Sequence, residues 1–408
     1  MEQLQTIAAF AESESDSKPP QPGIALCLSG GGFRAMLFHL GTLWRLNEFG
    51  YLPRLDLISS VSGGSITSGM LGCNWSRLRF GDDGVAANFR EQVAEPLRRH
   101  ASRNIDVPSV IKGLVTFGGA GKVVADYHDQ WLYKGATLQD LPDDTQPGVP
   151  RFLFNATSLQ TASDFRFTRS YMADYKIGLV RNPRVRIADA VAASGAFPPV
   201  LSPFYLKVDA GDYAHDANDP NDPQKTLPDW EKYATLVMLT DGGVYDNMGL
   251  EPAFKNYATV LVSDGGGDIK TDPRPSTLLQ VMRVIFLFDN QVRSRRKLEL
   301  VGAFKRRQQL QQTFSPDDEQ YRALTRQGAY WRMVDNLERY RLPSPLHYPP
   351  AATRKLAGVA TRLAAMEPAT QQRLINFGYA ACDVHMRAFV DNRLPAPVAY
   401  PYPEAGVG

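Results

Sequence analysis

The stretch "IALCLSGGGFRAMLFHLGTLWRL" (24–46) sets three consecutive glycines between an apolar run and a segment with helical spacing. A strand that turns through glycines directly into a helix belongs to an α/β layer structure. Glycines there also let a bound oxygen approach bare backbone N–H groups. That oxygen is either the phosphate of a nucleotide or the developing oxyanion of an ester under attack. Gly30, Gly32 and Ala35 satisfy the dinucleotide pattern G-x-G-x-x-G/A. That pattern also needs an acid about twenty residues on, closing the second strand. The second apolar run, "LDLISSVS" (55–62), has its only acid, Asp56, at its start, and no G-K-[ST] follows the glycines. The nucleotide reading is therefore set aside.

The second run ends in "SSVSGGS", which fits a nucleophile elbow, a sharp strand-to-helix turn of the form G-x-S-x-G. Small residues must flank the serine because strand and helix crowd each other there. Ser60, Val61, Ser62, Gly63 and Gly64 fill the five positions, with Ser60 standing for the first glycine. Ser62 lies at the end of the apolar run. Its rival, Ser65, has Gly63 two before it but Thr67 two after, and falls inside the first helical turn. The Cβ of Ser60 is expected to strain the turn.

A nucleophilic serine needs a base. "VMLTDGGVYDNMGL" ends an apolar strand on Asp241, and Gly242 and Gly243 allow a tight turn that leaves its carboxylate at the sheet's carboxyl edge. Asp264 in "VSDGGG" is similarly placed and is the competing acid. A triad with histidine in the order Ser, Asp, His would use His347, in a proline-rich loop, or His385, in a helical pattern. His39 precedes the serine, on the helix behind the glycines.

The chain has 408 residues, 43% of them hydrophobic, enough for a large core; its net charge of +2 gives no polyelectrolyte signal for nucleic acid. Cys27, Cys73 and Cys382 are widely spaced among apolar residues and read as buried thiols of a reducing compartment. Residues 1–22, ending in Pro19, Pro20 and Pro22, read as a tail, 23–390 as one domain and 391–408 as a C-terminal tail. A helical insertion is expected over about 80–140, interrupted by Gly118, Gly119 and Gly121, and a mainly helical part over about 277–390. Leu278, Val281, Met282, Ile285 and Val292 keep helical spacing, and "PATQQRLINFGYAACDVHMRAFV" reads as an amphipathic helix opened by Pro368. "RFLFNATSL" and "DFRFTRSYM" read as paired strands. "ATLVMLT" and "ATVLVSDGGG", joined by a helical segment, imply a parallel unit. The Asp- and Pro-rich stretch 209–230 reads as a solvent loop and lacks EF-hand spacing. No metal or organic cofactor is expected.

With these stretches located, the chain resembles the patatin-like phospholipase superfamily. "SGGGFRAMLFHLGTLWRLNEFGYL" resembles its anion-hole block, "SVSGGS" its serine elbow and "TDGGVYDNMGLEP" its D-G-[GA] block. "NATSL", "ADAVAASGAFPPVLSPF" and "INFGYAA" resemble less specific blocks, and "SGGGFRAM" is also close to the cytosolic phospholipase A2 and lysophospholipase branch. The resemblance implies a three-layer α/β/α fold on a mainly parallel sheet. It implies a Ser–Asp dyad without histidine, Ser62 as nucleophile and Asp241 as base, and an oxyanion hole from the amides of Gly30, Gly31, Gly32, Phe33 and Arg34. Arg34 either anchors the loop or meets a lipid head group.

The expected activity is hydrolysis of phospholipid or lysophospholipid esters through an acyl-enzyme. The rival expectations are a gated lipid-binding effector that needs an activator, and a non-lipid esterase or thioesterase. No signal peptide is legible and no run of about 18 apolar residues occurs, so the location expected is cytoplasmic, with at most peripheral membrane contact. Arg293, Arg295, Arg296, Lys297, Lys305, Arg306 and Arg307 crowd one helical segment with a single acid, Glu299. They read either as a patch for anionic lipid or as a solvated helix face. "VIFLFDN" (284–290) is expected in the core, with an acyl channel as the alternative.

Overall fold

The first apolar run forms strand β1 (Gln21–Leu28), and its side chains divide between two cores. Leu26 and Leu28 join a large cluster with Phe38, Leu374 and Phe377, while Ala25 and Cys27 join a second with Val260, Val262, Ala253 and Leu300. A strand buried on both faces must lie in the middle of three layers. The computed structural model describes residues 19–106, 119–216, 219–267 and 280–408. Positions 1–18 of the expected tail, Gly118 and Leu278 lie outside the described residues, and Gln21 and Pro22 of that tail belong to β1.

After the glycines comes helix α1 (Gly32–Glu48), then β2 (Leu57–Ser60) and α2 (Gly63–Asn74). The insertion carries α3 (Glu95–Ala101) and α4 (Gly119–His128). The chain returns as β3 (Arg151–Ser158), β4 (Ser163–Phe167), β5 (Tyr171–Asp174) and β6 (Gly178–Arg181). Helix α5 (Ile187–Ser194), β7 (Phe204–Lys207), β8 (Leu236–Asp241) and β9 (Tyr257–Asp264) follow. The last part holds α6 (Gln280–Leu310), β10 (Gln327–Arg332) and α7 (Pro368–Phe389). Strand β10 lies in a region read from sequence as helical.

One ten-stranded sheet results, in the order β10-β9-β1-β2-β3-β4-β5-β6, with β8 joining β3 and β7 joining β8. From β10 to β3 the pairings are parallel, and beyond β3 they are antiparallel. The strands expected to pair do so as β3, β4 and β5. The β8–β9 segment is not a parallel crossover, because β8 runs antiparallel to β3. This matters for the site. Strand β2 covers β3 as far as Ser60, opposite Phe154, and β8 covers the same edge beyond it, with Asp241 opposite Ala156.

Helices α1 and α7 pack backbone to backbone. A Cβ on Gly41 would sit 1.9 Å from the Ile375 carbonyl oxygen, and one on Gly378 would sit 1.9 Å from that of Phe38. From Leu374 to Arg387 every residue of α7 is buried, so the helix expected to be amphipathic is covered on every side along this stretch. The final segment is held too: the Asn376 amide donates to the carbonyls of Tyr402 and Gly406. The loop over 209–216 and 219–230 is organised by Asp222, which accepts from the N–H groups of Asp216 and Gln224. Among the described residues no helix is long and apolar enough to cross a membrane.

Gly378→Ala should force these two helices apart. We expect a loss of about 1–3 kcal/mol or more, read as a lower midpoint in thermal unfolding, whereas a substitution at exposed Glu404 should leave the midpoint unchanged.

Candidate active site

Strand β2 stops at Ser60, and the chain reverses into α2 through Ser62, whose φ of 51° and ψ of −116° lie where L-residues are strained. The neighbouring packing demands this turn. A Cβ on Gly63 would lie 2.2 Å from the Gly32 oxygen, and one on Gly64 would lie 2.3 Å from the Leu28 oxygen. The strain expected at Ser60 is absent, because its side chain has a pocket and partners: its Oγ lies 2.7 Å from Ser68 Oγ and donates to the Leu153 carbonyl. Ser65 donates to Ser60 and lies 2.9 Å from Ser194 Oγ, which in turn accepts the Ser62 N–H at 2.9 Å. Ser65 is thus fully buried and engaged in holding the elbow. Ser194, at the end of α5, lies in one of the less specific blocks, whose pattern gave it no role.

Asp241 arrives from the opposite direction at the end of β8. Its N–H donates to Ala196, the next N–H donates to Ser194, and Gly243 N–H donates to Asp241 Oδ1 at 2.7 Å. The Ser62 side chain lies beside the Asp241 carboxylate and helps to hold its charge. Burial is the main force on this carboxyl and drives its pKa up to about 7. The Gly243 bond and the nearby Ser62 side chain oppose the rise, and the charge of Asp289 adds to it. Asp289, absent from the residues expected at the site, lines the same cavity. Burial raises its own pKa to about 6, against the pull of Arg293.

The glycine loop faces this pair: a Cβ on Gly30 would lie 3.3 Å from Ser62 Cβ and 2.3 Å from Asn247 Oδ1. Five loop amides were expected as oxyanion donors. The Gly30 N–H instead donates to the backbone and side-chain oxygens of Asn247, and the Phe33 N–H to the Arg362 carbonyl. Gly31 and Gly32 have no amide partner among the described residues, line the cavity with Ser62, and hold φ of 139° and 58°. The Arg34 guanidinium donates to the carbonyls of Gly265 and Val359. It clamps the loop to two distant segments.

The competing residues serve elsewhere. Asp264 accepts from the Gly266 N–H and the Tyr330 hydroxyl. His39 is fully buried between Ser263 Oγ and the Ser29 carbonyl, and burial lowers its pKa to about 4. His385 is tied to Asp335 and the Ala381 carbonyl, and His347 is exposed. His128 lines the cavity but pairs with His100. Among the described residues no histidine hydrogen-bonds Ser62 or Asp241.

Above the pair opens a cavity of about 1050 Å³ walled by Ile66, Val191, Phe197, Leu201, Phe286 and Val292. Its rim is apolar and exposed: Val200 is 54% exposed, Val244 46%, Leu287 52% and Phe288 65%. "VIFLFDN" therefore lies on this rim and not in the core: Ile285, Phe286 and Phe288 face the cavity, where Phe286 stacks on Phe197. The basic segment that follows is mostly engaged. Arg293 pairs with Asp264, Arg296 with Glu251 and Asp246, and Arg306 donates to the Leu324 carbonyl. Lys297 and Arg307 lie over the rings of Tyr330 and Tyr321. These contacts pin α6 to the body, while Arg295, Glu299, Lys305 and Arg306 stay exposed.

The family model described as Patatin-like phospholipase matches residues 26–254. Over 70 residues the chain is 36% identical to SPO1 of Saccharomyces cerevisiae, a protein assigned as a meiotic phospholipase, covering 15% of this chain and 11% of that one. The fold is similar to human GIVD cytosolic phospholipase A2, with a TM-score of 0.52 and 13% identity over 93% of this chain and 60% of that one. The same human protein in complex with methyl gamma-linolenyl fluorophosphonate and terbium chloride gives a TM-score of 0.50 at 14% identity, over 89% and 57% of the two chains. The chain thus spans less than two thirds of these proteins, and the two structures speak for the fold alone.

A carboxyl held near 7 instead of its ordinary 3.8 binds its proton more tightly folded than unfolded. Its contribution to stability is present in acid and lost as pH rises through 7, a difference of about 4 kcal/mol. Asp241→Asn removes this dependence. The variant should melt above the wild type at pH 8, with the gap closing towards pH 4; equal gaps at both pH values would contradict the raised pKa.

Proposed function

Because the chain belongs to the patatin-like phospholipase family, we propose that it is a lipid acyl hydrolase working through a Ser62–Asp241 dyad. The observation that carries this reading is a strained serine beside a buried carboxyl at the floor of an apolar cavity. In water a carboxylate is a weak base. Burial that brings Asp241 to about 7 matches its proton affinity to neutral pH, where general-base transfer is most effective.

In this mechanism Ser62 Oγ attacks the ester carbonyl carbon as its proton passes to Asp241. The carbonyl electrons move onto oxygen, where the Gly31 and Gly32 N–H groups stabilise the charge, each donor contributing on the order of 3 kcal/mol. The tetrahedral centre collapses, and the alcohol leaves with the proton from Asp241. Water then attacks the acyl-enzyme, giving its proton to Asp241, and a second collapse returns a proton to Ser62 and frees the fatty acid. The apolar walls suit the acyl chain. The exposed rim, more than the engaged basic segment, suits contact with an aggregated lipid surface.

Ser62→Ala and Asp241→Asn should each reduce ester hydrolysis by at least about a thousandfold. A fluorophosphonate, the inhibitor class in the human complex, should label wild-type protein at Ser62; labelling at another residue, or full activity in either variant, would overturn the dyad. For the lipid surface the informative variant is Leu287→Ser, which lies on the rim outside the cavity lining. We expect a severalfold slower hydrolysis of vesicle phospholipid with an unchanged rate on a short soluble ester.

A further inference from the structure

A second cavity, of about 540 Å³, lies behind the first, between the end of α2 and the helical insertion. The hydrolytic steps above make no use of it. Arg77, Arg99, Arg103 and Lys134 line it, against two carboxylates, Glu91 and Asp140. Asp140 is already engaged by the N–H and hydroxyl of Thr137, so the lining is cationic.

Two uncommon backbone segments converge here. π-helical turns at Arg90–Ala94 and Asp129–Tyr133 bring Glu91 and Gln92 to one side of the cavity, and Trp131, Leu132 and Tyr133 to the other. Such turns are rare and concentrate at functional sites. The inner wall includes His100, which is 1% exposed and whose Nδ1 has no hydrogen-bond partner. An unmade hydrogen bond at a buried nitrogen is unusual and marks a place where a polar partner is missing.

The same histidine reaches the active cavity. Its Nε2 lies 2.9 Å from Nδ1 of His128, which lines the cavity of Ser62. Its ring meets Phe33, the residue after the glycine loop, edge-on at 5.4 Å. A second link runs through Tyr133, whose hydroxyl donates at 3.1 Å to the carbonyl of Ile66, another residue of the active cavity.

We propose that the rear cavity binds a small phosphate-bearing anion and that His100 transmits its occupancy to the glycine loop. Guanidinium forks match phosphate oxygens in charge and geometry, and the exposed arginines give the anion a route in. The phosphate could belong to a soluble ester or to a lipid head group, and the test separates the two.

Calorimetric titration of the Ser62→Ala protein with pyrophosphate and with glycerol 3-phosphate should show one saturable site. Adding Arg99→Ala and Arg103→Ala should weaken binding at least tenfold with the melting temperature unchanged, since both arginines are exposed. Sedimentation with phosphatidylcholine vesicles containing phosphatidic acid provides the other arm: loss of vesicle binding in the arginine variant, without binding of the soluble phosphates, assigns the site to a head group. These binding results stand whether or not Ser62 is the nucleophile. Coupling rests on that reading and is measured in wild-type protein, where the bound anion should change the rate of fluorophosphonate labelling at least threefold. His100→Gln, or His128→Gln where the first does not fold, should remove the change. The proposal is overturned by the absence of saturable binding in both arms, by binding that the arginine variant keeps, by an unchanged labelling rate, or by a full response in a folded histidine variant.

Discussion

The structure depends on one shared edge. Strand β3 offers the same side to β2 up to Phe154 and to β8 from Ala156 onward. Strand β2 must leave the sheet where β8 enters, and the departing chain can turn only through the positive φ of Ser62. Asp241, arriving antiparallel, ends beside that turn. The meeting of serine and carboxylate follows from strand register, and backbone geometry sets the two side by side before any substrate is present. The elbow's serine cluster and the Gly63 and Gly64 contacts over-determine the strained residue, as such strain requires.

The same layout sets the electrostatics. The carboxylate lies beneath an apolar cavity with few donors to satisfy it, and Asp289 adds a second negative charge. Both effects raise its pKa, weakening the fold at alkaline pH and strengthening the base at neutral pH. Clamping of the loop by Arg34 and Asn247 works alongside this. It removes one amide, that of Gly30, from reach of a ligand, and it fixes Gly31 and Gly32, which remain available.

Much of this was legible in the chain. The three-layer α/β fold, the strand–glycine–helix entry and the family resemblance rested on local patterns, and local patterns survive folding. What the chain hid depended on long-range placement. "ATLVMLT" carries no mark of direction, so β8 read as parallel. "QGAYWR" is too short and mixed to stand out as β10. "VIFLFDN" is as apolar as any core segment, and only its place beside the cavity puts it on the rim. The seven basic residues after it look like a patch until Asp246, Glu251 and Asp264 are seen to hold three of its contacts. Ser194 and Asn247 lie inside quoted blocks whose patterns give them no role, and Asp289 comes from α6 with no spacing rule to link it to Ser62.

The central claim is that a buried carboxylate, not a histidine, activates Ser62. The pH dependence of fluorophosphonate modification of Ser62 tests it most directly, because it reads the free protein without lipid. The account predicts a rate that rises through about pH 7, with a midpoint that moves to lower pH in Asp289→Asn as the neighbouring negative charge is removed. A midpoint that Asp289→Asn leaves in place, together with loss of the rise in His128→Gln, would contradict it.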